Sequence, residues 1–171
     1  MDQNTTQNPS SPIKKLVVGW FSFTCSEDST ILFSELLNDY LDTWKKRVEF
    51  RHLKVLKSKN VLEGLDVAFI EGAISSDKQE QEAKKIRENA QYVVAIGACA
   101  VTGLPSASRN EFVSEEINER IQWYMNQFNY SQKVKKLDEV IRVDDVVNGC
   151  PMSIPLFLEV LNKYLKLFNI T

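Results

Sequence analysis

YVVAIGACAVTGLPS, Tyr92 to Ser106, is the stretch whose reading decides the fold. Tyr92 to Ile96 is an unbroken run of aromatic, β-branched and small apolar residues, which predicts a short buried strand. It empties into Gly97, Ala98, Cys99 and Ala100, with a second glycine at Gly103. Small residues after a strand let a neighbouring group come close to the backbone. A cysteine among them is expected to face whatever docks there.

Outward from this stretch the pattern alternates. Ile13 to Phe21 reads as a first, central strand, and Thr30 to Trp44 carries Ile31, Leu32, Leu36, Leu37, Tyr40, Leu41 and Trp44 at helical spacing. Val48 to Leu56 alternates and predicts a partly exposed strand near an edge. Leu65 to Ile70 predicts a buried strand ending at Glu71-Gly72, and Asp77 to Asn89 a charged helix. Downstream, Glu111 to Phe128 predicts a long helix, Val140 to Val143 a short strand, and Pro155 to Phe168 a final helix after the turn Asn148-Gly149-Cys150-Pro151. Strands alternating with helices imply an α/β fold with a doubly wound parallel sheet. In such sheets ligands sit outside the carboxyl ends of the strands. Cys25, Cys99 and Cys150 each fall just past a predicted strand end, and Glu71-Gly72 falls on the same rim.

Bulk properties bound the function. The chain has 171 residues, 43% hydrophobic and 26% charged, enough for one domain with a real core. A net charge of −2 gives no broad basic surface, so no nucleic-acid partner is expected. No apolar run approaches the roughly 20 residues of a membrane span. The opening MDQNTTQNPSSP is polar and lacks the basic and apolar regions of a secretory signal, so residues 1–12 are expected to be a disordered tail before a single domain, 13–171. Three cysteines cannot form a complete disulfide framework, and a reducing, cytoplasmic location is the expectation.

Three thiols also occur simply as small buried residues. Gathered on one rim, they are soft donors suited to iron–sulfur clusters, zinc or copper(I). A zinc site needs a fourth ligand, and the single histidine, His52, lies mid-strand with nothing at ligand spacing. A 4Fe–4S cluster needs four ligands as well. In TCSEDST, Asp28 stands three residues after Cys25, the interval of a C-x-x-C pair. Two readings of Asp28 stay open: an oxygen ligand, or, with Ser29, a cap for the helix that follows. With one histidine there is no catalytic triad, and no Walker loop or G-x-G-x-x-G occurs.

Cys25-x-x-Asp28 after the first strand, a strand ending in Glu71-Gly72, GACAVTG at 97–103 and GCP at 149–151 together resemble the small subunit of nickel–iron hydrogenases. They are similar also to the related cluster-bearing small subunit of NADH:ubiquinone oxidoreductase. The resemblance covers about Lys14 to Leu165. It implies a flavodoxin-like domain holding one proximal 4Fe–4S cluster beside a hydrogenase-like large subunit that carries the catalytic centre, with a further electron-transfer subunit in the complex. It makes Cys25 the first ligand, Cys99 a later one and Cys150 the last, with Glu71 and Gly72 close to the cluster. The second ligand departs from the pattern. Some hydrogenases place an aspartate there, which points to Asp28, whereas the adjacent-cysteine register of complex I points to Ser26; Glu27 or a partner residue completes the candidates. No cysteine-rich extension follows, so one cluster is the expected maximum. The alternative is a flavodoxin-like binding subunit that has lost its cluster. FMN is disfavoured, because Glu27 and Asp28 would stand where a flavodoxin seats phosphate.

Overall fold

The computed structural model describes residues 14–112 and 119–170. The expected tail lies outside them. Among the described residues, five strands form one all-parallel sheet: β1 (Leu16–Ser22), β2 (Val48–Leu53), β3 (Leu65–Glu71), β4 (Ala90–Ile96) and β5 (Asp145–Val147), in spatial order β2-β1-β3-β4-β5. This is the doubly wound, flavodoxin-like α/β architecture, with the order reversing between β1 and β3. The helices are α1 (Asp28–Arg47), α2 (Asp77–Asn89), α3 (Gly97–Thr102), α4 (Glu119–Gln127) and α5 (Ile154–Leu167).

Two cores flank the sheet. On one face α1 and α5 pack Phe33, Trp44, Phe157 and Leu161 against Trp20 and Phe69. Trp20 and Phe33 stack at 4.3 Å, and Phe157 meets Phe69 edge-on at 5.6 Å. On the other face α2 sets Ala83 and Ile86 against Ile70, Ala68 and Val93, with Leu137 closing the layer. His52 is buried and stacks on Phe21 at 4.2 Å, with Nδ1 3.3 Å from the Trp20 carbonyl oxygen. It is a core residue away from the cysteine pocket, and burial holds its pKa below the ordinary value.

Four expectations need correction. The last strand is Asp145–Val147, not Val140–Val143; a 3-10 turn at Leu137–Glu139 precedes it, and the side chain of Asp144 accepts the Val93 N–H. The residues after β4 are no open turn but the short helix α3, and Cys99 within it is only 7% exposed. The first long helix starts at Asp28, two residues early. The stretch Glu111 to Phe128 begins as the end of a 3-10 segment, Ser106–Glu111, and is α-helical at Glu119–Gln127; residues 113–118 lie outside the described ones.

Candidate functional site

Register brings the site together. Ser22 pairs with Glu71, Glu71 with Ile96 and Ile96 with Val147, so four strands end at one level. The segments leaving those ends carry Cys25, Glu71-Gly72, Cys99 and Cys150. Cys25, Ser26, Asp28, Glu71, Cys99 and Cys150 line a single pocket there.

The Cys25 turn is zipped to the end of β3. Phe23 N–H donates to Glu71 O at 2.8 Å, and Thr24 and Ala73 exchange backbone bonds at 3.0 and 2.9 Å. Gly72 makes this possible: its φ is +94°, and a Cβ there would lie 2.8 Å from the Phe23 carbonyl carbon. Gly72 therefore supports the site by close backbone approach. Glu27 takes a left-handed conformation, φ 59°, and turns its N–H onto Cys25 Sγ at 3.3 Å.

Helix α1 has no side-chain cap from its own N-cap residue, Glu27. Its first free N–H groups are taken by Glu71 instead. Oε1 accepts Ser29 N–H at 3.1 Å; Oε2 accepts Thr30 N–H at 3.0 Å and the Thr30 hydroxyl at 2.6 Å. A carboxylate at a helix N-terminus is favoured both by these donors and by the helix dipole. Asp28 is thereby relieved of most capping duty. Its Oδ1 accepts only the adjacent Ser29 N–H, at 2.9 Å, and its Oδ2 accepts the Cys150 thiol at 3.1 Å. Thus the structure joins Asp28 to a cysteine 122 residues away.

Cys99 sits in α3, where Ser106 Oγ donates to its sulfur at 3.2 Å. Cys150 is exposed, and the Gly149 carbonyl before it accepts Ala98 N–H at 2.7 Å. Gly149 has φ +127°, and its Cβ would fall 2.5 Å from Pro151 O, so the turn requires glycine. Sequence reading offered Ser29 only as a helix cap and missed Ser106. Only the folded contacts show Ser29 meeting Met152 and Ser106 meeting Cys99.

The electrostatics are one-sided. Five acids, Cys25, Asp28, Glu71, Cys99 and Cys150, line the pocket, and no Lys, Arg or His among the described residues does. Burial, then the Glu71 charge, pushes the Cys25 thiol up to about 12. The hydrogen bond to Asp28 raises Cys150, and burial raises Glu71. A cationic centre reverses this logic, because thiols deprotonate on coordination. The donor types therefore fit a soft, positively charged metal centre. Among the described residues no three His, Cys, Asp or Glu side chains already converge on one metal point, and the free space between the thiols is about 10 Å³. That is far below the ~300 Å³ at which organic-ligand sites begin, so FMN does not fit among the thiols. A far larger concavity, about 1240 Å³, is an open groove between β5 and α5. No cysteine borders it, and Asp144 and Asp145 there are paired with Arg87 and Lys163.

The sheet order defines a flavodoxin-like α/β domain, with three cysteines gathered at its switch point. The chain belongs to the family of the NADH ubiquinone oxidoreductase 20 kDa subunit, whose model matches residues 25–164. It is 34% identical over 117 residues to a subunit of the F420-non-reducing hydrogenase of Methanothermobacter marburgensis, covering 60% of this chain and 37% of that protein. It is 27% identical over 108 residues to the delta subunit of the NAD-reducing hydrogenase HoxS of Cupriavidus necator, covering 54% and 52% respectively. The chain thus spans about a third to a half of these relatives. Its fold matches a chain of an NAD+-reducing NiFe-hydrogenase in the H2-reduced state, with a TM-score of 0.74 at 21% identity, covering 90% of this chain and 92% of that one.

Proposed function

We propose that the protein is an electron-transfer subunit of a hydrogenase-like oxidoreductase, holding one 4Fe–4S cluster on Cys25, Asp28, Cys99 and Cys150. The observation that carries this reading is that three thiols and two carboxylates, with no Lys, Arg or His among the described residues beside them, line a single pocket at aligned strand ends. When bound, the cluster would supply a one-electron relay whose potential is tuned by burial and by hydrogen bonds to sulfur. The chain's own residues provide those bonds: Glu27 N–H toward Cys25 and Ser106 Oγ toward Cys99. The catalytic centre is assigned to a hydrogenase-like large subunit docked on this rim, with a further electron-transfer subunit beyond it. Hydrogenase subunits among the relatives support that partner class. A reducing, cytoplasmic location goes with three free thiols; among the described residues no helix is long and apolar enough to cross a membrane.

A second reading is a flavodoxin-like binding subunit without a cluster, favoured by the tight 10 Å³ spacing between the thiols. Anaerobic reconstitution with iron and sulfide separates the two. The cluster reading expects close to four irons and four sulfides per chain and a low-temperature EPR signal on reduction. A colourless, iron-free chain with three titratable thiols overturns it.

A further inference from the structure

The three thiol-bearing segments leave three different strands, and one buried pair touches all of them. Ser29, wholly buried, donates its N–H to Glu71 at 3.1 Å, while its Oγ accepts Met152 N–H at 3.2 Å. The same oxygen lies 3.1 Å from the place a Cβ on Gly97 would occupy. Ser29 follows Cys25 by four residues, Met152 follows Cys150 by two, and Gly97 precedes Cys99 by two. Glu71, 2% exposed, is the other half of the pair, and its two oxygens take three donors from α1. Charge-assisted bonds of this kind are short and directional, and in a buried place each donor left unmade is costly.

We propose that the Ser29–Glu71 pair positions the thiol site, fixing the Cys25, Cys99 and Cys150 segments relative to one another, and that Glu71 is not itself a ligand. The proposal rests on the reading of those thiols as a ligand set. It explains the acidic residue at the end of β3: its oxygens are turned into the start of α1, which leaves Asp28 facing Cys150. Gly97 is part of the same device, since any side chain there would press on Ser29 Oγ.

The test compares Ser29→Ala, Glu71→Gln and a control in the opposite core, Ile86→Ala, in the full chain. Ser29→Ala changes no charge, so it separates positioning from electrostatics, and as the milder change it keeps the test open should Glu71→Gln fail to fold. Before iron is added, amide exchange at Met152 and Ala98 is expected to quicken at least tenfold in Ser29→Ala relative to Val94 in the central sheet. Ile86→Ala should not single out those amides. After reconstitution, both site variants should show a shifted or broadened EPR signal, and Ile86→Ala the wild-type line shape. Exchange and EPR unchanged in Ser29→Ala overturn the proposal. So does a Glu71→Gln chain that loses one iron while Ser29→Ala behaves as wild type, because that pattern marks Glu71 as a ligand. If the wild-type chain takes up no iron, the cluster reading fails, and exchange at Met152 and Ala98 alone decides the positioning role.

Discussion

Asp28 is the residue on which the proposed ligand set turns. Because Glu71 satisfies the Ser29 and Thr30 N–H groups, Asp28 can face Cys150 without uncapping α1. A carboxylate is a harder and weaker partner for cluster iron than a thiolate, yet it still closes the coordination. Asp28→Cys should therefore retain or increase iron per chain, and Asp28→Ala should lower it toward a three-iron species. Ser26→Ala, the control for an adjacent-ligand register, should leave iron and EPR unchanged. Were Asp28 only a cap, Asp28→Ala would cost about 1 kcal/mol of stability with full iron content. Cys25 permits a pH test. With its pKa near 12, about one molecule in ten thousand carries the thiolate at pH 8, so alkylation of the iron-free chain at Cys25 should be slow and rise about tenfold per pH unit. The fold holds this thiol protonated above its ordinary value of 9.0. Its contribution to stability is whole below about pH 9 and is lost as pH climbs toward 12. Urea midpoints of the iron-free chain should fall across that window, and fall less in Cys25→Ser.

At the scale of elements, the start of α1 and the start of α3 do different work. Helix α1 is capped from another strand, which couples its position to β3. Helix α3 begins at Gly97 with φ +78°, a conformation L side chains rarely adopt, against Ser29 Oγ. Gly97→Ala should destabilise the chain by at least about 1 kcal/mol in urea and reduce cluster uptake. Helix α5 holds the rim from below. Phe157 is 1% exposed and meets Trp20, Phe33, Trp44 and Phe69 edge-on. Phe157→Ala should cost about 3–5 kcal/mol, read from the shift in urea midpoint at constant m-value. A smaller loss would mean that α1 and α5 close over the gap.

Across the whole molecule, the sheet order places every site segment at one end and leaves apolar residues on it. Val101, Leu104, Pro105, Met152 and Ile154 are apolar residues on the segments that carry Cys99 and Cys150, where an exposed apolar side chain would mark a partner-facing surface. Leu104, at 49%, and Pro105 are exposed, Val101 and Ile154 are half-buried, and Met152 is buried at 2% and belongs to the core. The candidate interface is therefore Leu104-Pro105 and the exposed Cys150 turn. Hydrogen exchange at Leu104 and Cys150 should slow when a large subunit binds, while Met152 should be equally protected with and without it. Equal exchange at Leu104 in both states would remove this rim from the interface.

Strand and helix order was legible in the sequence because local periodicity carries it. YVVAI and LDVAFI are short, β-rich apolar runs that read as buried strands, Asp77–Asn89 has the charge pattern of a surface helix, and the observed bounds of α2 match it residue for residue. The gathering of Cys25, Cys99 and Cys150 was legible too, since parallel strands must all end on one rim. Gly149 serves a local turn, closing on Pro151 two residues on, whereas the need for glycine at Gly72 comes from Phe23 at the end of another strand and only the fold shows it. The brief strand Asp145–Val147 was not legible, because three residues hold no period and its place depends on pairing with β4. Nor was the cap of α1. Local sequence offers Asp28 and Ser29 as caps, but Glu71 wins because two carboxylate oxygens reach three donors at once from a strand whose position only the folded sheet sets. Composition and periodicity act between neighbours in the chain. Contacts such as Asp28 to Cys150 and Ser29 to Met152 span more than 120 residues, and only tertiary packing decides them.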